Sequence, residues 1–391
     1  MTAGTTDGIG PSRPDQPLAA PMTDAIPLNT GDPTIDAWRA RAERDERAPG
    51  LVQVHRGVLS FGWQGVATFL HCPLAFTPAD LRAAGVDVAF LGASLDMSTG
   101  MRGAALGPRF VRCWDDPLLG AGLEMPNTAT MVNPHRELVM ADYGDAPVDP
   151  LSTERSIGPI RQLVREVAET GTIPFIVGGD HSLMYPDVAA VSDVYGKGRV
   201  GVVHFDAHWD AAGVGLGHHI SHGRPIRLLV EEGHVPGHNF IQVGLRGYLP
   251  DGDDLAWMRE HGLRYHFMAE VEQRGWAAVM ARAIEEALDG PEYMYLTIDI
   301  DVLDPAYAAG VGTPEPGGLT PRELFPLIRN LCARTRVVGV EVVEMNPVLD
   351  PTYRTAQVVN RIMREAVTGI AMYKKGLRQP DYLSPLTAAH P

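Results

Sequence analysis

Length alone, at 391 residues, permits one large α/β domain or two smaller ones, and the balance of 45% hydrophobic and 21% charged residues suits a globular chain with a sizeable core. A formal net charge of −15 without any clustered run of Lys or Arg argues against nucleic acid and anionic membrane as partners, and is compatible with a cationic small molecule. Cys72, Cys113 and Cys332 are scattered and show no C-x-x-C spacing, so neither a disulfide framework nor a thiolate metal site is expected, and a reducing cytoplasm is the expected location.

Residues 1–36 are rich in Pro, Gly, Thr and Asp and lack hydrophobic periodicity; they are expected to form a disordered arm. Residues 37–86 are read as an extension packing on the core, with a short helix over 38–47, and 87–391 as the main domain. No basic segment followed by an apolar one opens the chain, and no run of about 18 apolar residues occurs, so neither export nor membrane insertion is expected.

The run 87–94 predicts a buried strand, followed by a glycine-bearing loop at 96–103 and a helix opened by Gly107-Pro108. Neither G-x-G-x-x-G nor a Walker lysine follows it, which excludes the usual dinucleotide and phosphate cradles. Ile160, Leu163, Val164 and Val167 give a helix over 157–170 that ends at Gly171. A strand at 172–177 then leads into Gly178-Gly179-Asp180-His181-Ser182, where Asp180 or Ser182 could serve as a helix cap. Further strands are predicted at 200–205, 240–245, 263–267, 294–300 and 337–343, with helices at 183–194, 254–261, 276–288, 321–332 and 353–372. Alternation this regular predicts a single three-layer αβα domain with a central parallel sheet, its site at the carboxyl ends of the strands.

Chemistry-bearing residues concentrate at those ends. His204-Phe205-Asp206-Ala207-His208-Trp209-Asp210 places four metal-ligand side chains in seven residues. If extended geometry persists, Asp206, His208 and Asp210 share one face; His204, the expected bystander, faces the other way if the strand stops at Phe205 and shares their face if it continues. Thr297-Ile298-Asp299-Ile300-Asp301 puts Asp299 and Asp301 on one face by the same rule, and paired buried carboxylates require a counter-charge. Pooling His181, Asp206, His208, Asp210, Asp299 and Asp301 gives two imidazoles, four carboxylates and no thiol. That set exceeds one tetrahedral zinc site and fits two divalent ions sharing carboxylates, Mn²⁺ foremost, with Ni²⁺, Co²⁺ or Fe²⁺ also matching the donors.

Together, Gly178 to Ser182, Asp206 to Asp210 and Thr297 to Pro305 resemble the hallmark segments of the ureohydrolase family of arginase and agmatinase. Ser221-His222-Gly223 and Glu341-Val-Val-Glu344-Met-Asn-Pro347 support the likeness, which covers roughly residues 87–375. It implies an arginase-like fold and hydrolysis of a guanidino compound to urea and an amine. It also implies one metal held by His181, Asp206, Asp210 and Asp299, and a second held by Asp206, His208, Asp299 and Asp301. By the same resemblance Asp210, His222 and Glu344 are catalytic: Asp210 orients the attacking water, His222 shuttles a proton, and Glu344 holds the guanidinium. A homo-oligomer, trimeric or hexameric, is likewise implied.

The pattern departs from agmatinase-like members at 102–108, which lacks the proline and second arginine of R-P-G-x-R-x-G-P, and at Trp209, where smaller residues are common. The substrate is therefore left open among agmatine-like compounds, guanidino acids, guanidine and substituted guanides or biguanides. Arg102 or Arg246 could receive a substrate carboxylate, and Trp209 could line a closed pocket. Rival readings are a non-catalytic metal-binding partner subunit of a ureohydrolase hetero-oligomer and a deacetylase-type amide hydrolase; the complete set including His208 and Asp301 argues against both.

Overall fold

Eight short strands form the centre of the molecule, seen here in a computed structural model that describes residues 47–54, 65–99, 101–114 and 125–378. They are β1 (Val88–Ala93), β2 (Met140–Asp145), β3 (Ile173–Gly178), β4 (Val200–Phe205), β5 (Phe240–Leu245), β6 (Arg264–Phe267), β7 (Tyr293–Asp299) and β8 (Val337–Val343). All pair in parallel in the order β2-β1-β3-β8-β7-β4-β5-β6. Both faces of a parallel sheet are covered by helices, and β1, β4, β5, β7 and β8 are buried at every residue. Two hydrophobic clusters lie on opposite faces of the sheet, one around Phe90, Phe175 and Phe205, the other around Leu91, Ile176 and Tyr295. This is the three-layer αβα arrangement expected from the alternation.

Several element ends follow from local chemistry. The helix Pro321–Arg334 starts at a capping box between Thr320 and Glu323 with proline in its first turn. Thr153–Ala168 begins four residues before the predicted start because the Ser152 hydroxyl accepts from Arg155 N–H and caps it. Gly339 permits β8 to pass beside an aromatic ring, since a Cβ there would lie 2.4 Å from Tyr295.

The prediction omits β2, and the helices Pro78–Ala84, Pro134–Glu137, Pro225–Glu231 and Met268–Arg274. In β2 the charged Asp142 interrupts the apolar run. Its burial is made tolerable by Arg112, whose Nε and Nη2 donate to the two carboxylate oxygens at 2.8 and 2.9 Å, and by Phe69 N–H at 2.9 Å. The four helices span at most seven residues each, too few for periodicity to declare itself. Before β1, Leu74 bridges both Val52 and Asp142, and Arg47 holds buried Asp80. The expected arm over 1–36 and most of the expected helix over 38–47 lie outside the described residues.

Candidate metal centre

The last two strands, β7 and β8, insert between β3 and β4, so four adjacent strand ends from distant parts of the sequence meet in the middle of the sheet. His181 follows β3, Glu344 follows β8, Asp299 ends β7, and Asp206 follows β4. In open parallel sheets this edge is where ligands bind.

The pentad between β3 and its helix has a divided role. Asp180 is the cap, accepting from Ser182 N–H at 3.1 Å and Ser98 N–H at 3.0 Å, and His181 projects into the centre. Gly179 is required by close approach, since a Cβ there would lie 1.7 Å from Leu95 O.

The acidic segments converge by turns, not by the continued pleat that the sequence suggested. Strand β4 stops at Phe205, the Asp206 carboxylate accepts from His208 N–H, and Asp210 adopts a left-handed φ of 47°. Likewise β7 stops at Asp299, whose carboxylate caps the 3₁₀ turn Ile300–Val302 by accepting from Asp301 N–H at 2.8 Å. A second contact, Ala207 N–H to Asp301 Oδ1 at 3.0 Å, ties the two segments together.

The resulting geometry is tight. His181 Nδ1 lies 2.9 Å from Asp206 Oδ2, 2.8 Å from Asp210 Oδ2 and 3.5 Å from Asp299 Oδ2. His208 Nδ1 lies 3.0 Å from Asp301 Oδ2 and 3.4 Å from Asp206 Oδ1. His181, His204, Asp206 and Asp210 form one group able to hold an ion, and Asp206, His208 and Asp301 form another. Asp206 belongs to both, as a shared carboxylate would. Asp299 lies against the first group through His181, with its other oxygen turned to Asp301 N–H.

His204, the expected bystander, is the residue whose face the sequence leaves open, according to where the strand ends. It is fully buried, with Nε2 3.0 Å from Asp206 Oδ2 and its ring stacked on His181 at a 5.1 Å centroid separation. The alternation of 204, 206 and 208 was the signal that it could share their side.

These residues suit divalent cations. His181 Nδ1, His204 Nε2, Asp206 Oδ2 and Asp210 Oδ2 are buried, have no hydrogen-bond partner outside this group, and all aim at the same space. Burial raises the Asp299 and Asp301 carboxyls, and the charges of neighbouring aspartates raise them further, Asp299 well above the ordinary carboxylate range. Burial opposes charge on His208, but hydrogen bonds to Asp206 and Asp301 outweigh it and push the imidazole up to about 12. A cluster that holds protons this tightly is short of positive charge, and cations supply it.

Glu344 adjoins the centre with a left-handed φ of 64°. Its N–H donates to Gly179 O at 2.7 Å, and its Oε1 accepts from His181 N–H at 2.9 Å. Opposite it stands His222, with Nδ1 3.4 Å from Glu344 Oε1 and a side chain 30% exposed. Burial lowers the His222 pKa, but Glu344 overrides this and raises it to about 9. The loop carrying it is pinned by Ala212 N–H to Gly223 O at 2.9 Å.

Three further residues weighed in the sequence take other places. Arg246 is half-buried and donates to the carbonyls of Gly244, Asp301, Val302 and Glu315 at 2.7–3.3 Å, so its guanidinium is already occupied. Arg102 is half-exposed and held on Asp96. Trp209 packs its ring against the core on the Leu91 side of the sheet, while its carbonyl accepts from Gln242. Sequence reasoning missed Thr297 and Gln242, which contact the rings of His181 and His204; Thr297 alternates with Asp299 and Asp301 but carries no charge to mark it, and Gln242 lies on a strand with no chosen residue.

Fold and site together define a metal-dependent class of α/β protein with an acidic, imidazole-bearing centre at the sheet's carboxyl edge. The Arginase family profile matches residues 86–369, and the chain belongs to that family. It is 36% identical to a mitochondrial agmatinase of Gallus gallus over 288 residues, 73% of this chain and 81% of that protein. It is also 36% identical to a guanidinopropionase of Pseudomonas aeruginosa over 309 residues, 78% of this chain and 92% of the other. The crystal structure of proclavaminate amidino hydrolase from Streptomyces clavuligerus superposes with a TM-score of 0.71 at 29% identity, covering 80% of this chain and all of that one.

Proposed function

We propose that this protein hydrolyses a carbon–nitrogen bond of a guanidino compound, releasing urea and an amine. Membership of the arginase family and relatives named for agmatine and guanidino acids support the reaction class. The observation that carries the reading is the placement of two His/Asp groups, joined through Asp206, beside the carboxylate of Glu344.

In this reading one cation is held by His181, Asp206, Asp210 and Asp299, and the other by Asp206, His208, Asp299 and Asp301. Mn²⁺ is the proposed ion, and Ni²⁺ accepts the same donors. When bound, divalent cations supply an acidified water and a Lewis acid for the reacting group. Asp210 would orient the attacking water. Glu344 receives the planar guanidinium, whose N–H fork matches a carboxylate. Its Oε2 faces Gly312, 3.8 Å from where a Cβ there would stand. His222, charged at neutral pH beside Glu344, donates a proton to the departing amine.

Arg102 is proposed as the rim cation for an anionic substrate tail, since Arg246 is occupied. The same proposal includes a cytoplasmic location and assembly as a homo-oligomer, trimeric or hexameric; among the described residues no helix is long and apolar enough to cross a membrane. The test is a urea assay over agmatine, guanidino acids, guanidine and biguanides, with Mn²⁺ or Ni²⁺ restored to the purified chain. Urea from at least one guanidino compound is expected, and Arg102→Ala should weaken only guanidino acids. No urea from any of them with either metal would refute the reading.

A further inference from the structure

The two stacked imidazoles at the centre, His181 and His204, meet different partners on the nitrogens that face away from Asp206. For His181, Nε2 lies 2.7 Å from the Thr297 hydroxyl, whose neighbour is the buried carboxyl of Glu341. With the hydroxyl accepting from His181 Nε2–H, Nδ1 is left as a lone pair facing Asp206 and Asp210.

His204 meets a different partner. It is in register with Gln242 on β5, and the Gln242 amide nitrogen lies 3.1 Å from His204 Nδ1 and 2.9 Å from the Trp209 carbonyl. A carbonyl oxygen only accepts, so the amide must present nitrogen to it; a flipped amide would face oxygen with oxygen. The same NH₂ group therefore donates to His204 Nδ1. A neutral imidazole accepting at Nδ1 carries its proton on Nε2, and that atom is 3.0 Å from Asp206 Oδ2 and 3.9 Å from Asp210 Oδ2.

We propose that His204 is a positioning residue that donates Nε2–H to the shared carboxylate Asp206 and is barred from ligating a cation, and that Gln242, fixed by the Trp209 carbonyl, sets this tautomer. The inference rests on the cation reading above. It decides between two donor sets that distance alone leaves equal, because His204 Nε2 is as near to Asp206 Oδ2 as His181 Nδ1 is. It also gives Trp209 a function: packed into the core, its residue aims a backbone carbonyl at Gln242.

The test uses the full chain, stripped of metal and titrated with Co²⁺, reading ions bound per chain, affinity and visible absorption. His204→Asn should still bind two Co²⁺ with the wild-type absorption band, at an affinity lower by about 10-fold, the usual effect of losing a partner that orients a ligand. Gln242→Leu should reproduce that loss, and the double variant should lose no more than either single one, because both act through one hydrogen bond. Loss of one ion or a changed band in His204→Asn overturns the assignment and makes His204 a ligand. Additive losses in the double variant overturn the role of Gln242. Should His204→Asn fail to fold, as judged by circular dichroism of the metal-free chain, Gln242→Leu carries the test alone, and wild-type affinity in it overturns the proposal. A wild-type chain that takes up no Co²⁺ removes the cation reading and this assignment with it.

Discussion

The Nδ1 of His222 stands 3.4 Å from Oε1 of Glu344, and this contact joins a surface loop to the end of the central strand β8. Glu344 keeps the imidazole protonated up to about pH 9, although burial alone would lower its pKa. Glu344→Gln should bring the His222 titration down towards ordinary values and raise KM by roughly 30-fold or more, since truncating one side of a buried charged pair costs about 2–5 kcal/mol. NMR titration of His222 and steady-state kinetics check both effects. In the wild type, kcat/KM should fall as pH rises through about 9, where His222 loses its proton.

Removing the cations should destabilise the chain as well as silence it. Without them the Asp299 and Asp301 carboxyls are held above their ordinary range by burial and mutual repulsion. Ligand at about 100 times its Kd stabilises the folded state by about 2.7 kcal/mol, so exhaustive chelation should lower Tm by several degrees. Asp299→Ala should abolish urea release and retain fewer than two ions per chain by elemental analysis. A variant that remains active with no metal would contradict the scheme.

A separate buried ion-pair cluster sets part of the pH dependence of stability. His266 Nδ1 is 2.8 Å from Glu270, and Nε2 is 3.0 Å from Glu286. Burial opposes its charge, but the two glutamates raise its pKa above the ordinary 6.5. The stabilisation is therefore complete below about pH 6.5 and declines as pH rises through the higher folded value. His266→Leu should cost about 1–3 kcal/mol at pH 6. Denaturant unfolding should show the gap between variant and wild type narrowing as pH rises through that raised value.

Gly179→Ala should be among the most damaging small substitutions. Its Cβ would sit 1.7 Å from Leu95 O, and backbone cannot yield as a flexible side chain would. The turn that presents His181 and receives Glu344 N–H would shift, with a stability loss of at least about 3 kcal/mol expected from such overpacking. Thermal unfolding and Co²⁺ binding should both report it.

The strands carrying the site were legible because β4, β5 and β8 are short, mostly apolar runs, each with a single polar residue. The residues His181, Asp206, His208, Asp210, Asp299 and Asp301 were legible for a chemical reason: buried carboxylates at strand ends need a counter-charge wherever they occur. Edge strand β2 was not legible, since its buried Asp142 is tolerated only because Arg112 and Phe69 N–H reach it from elsewhere.

Within the segment 204–210, sequence alone determined the donor types and their closeness along the chain. Only the tertiary structure decided how they converge, because Asp210 turns at a left-handed φ and Asp301 enters through a cap on Asp299, neither of which strand periodicity contains. The same holds for His204. It lies beside Asp206 although β4 stops at Phe205, because the chain turns at Asp206 and does not continue the pleat, and its Nδ1 meets an amide from β5 held by a carbonyl 33 residues away. A hydrogen-bond direction is a property of the neighbours that packing brings together, and the chain must fold before those neighbours exist.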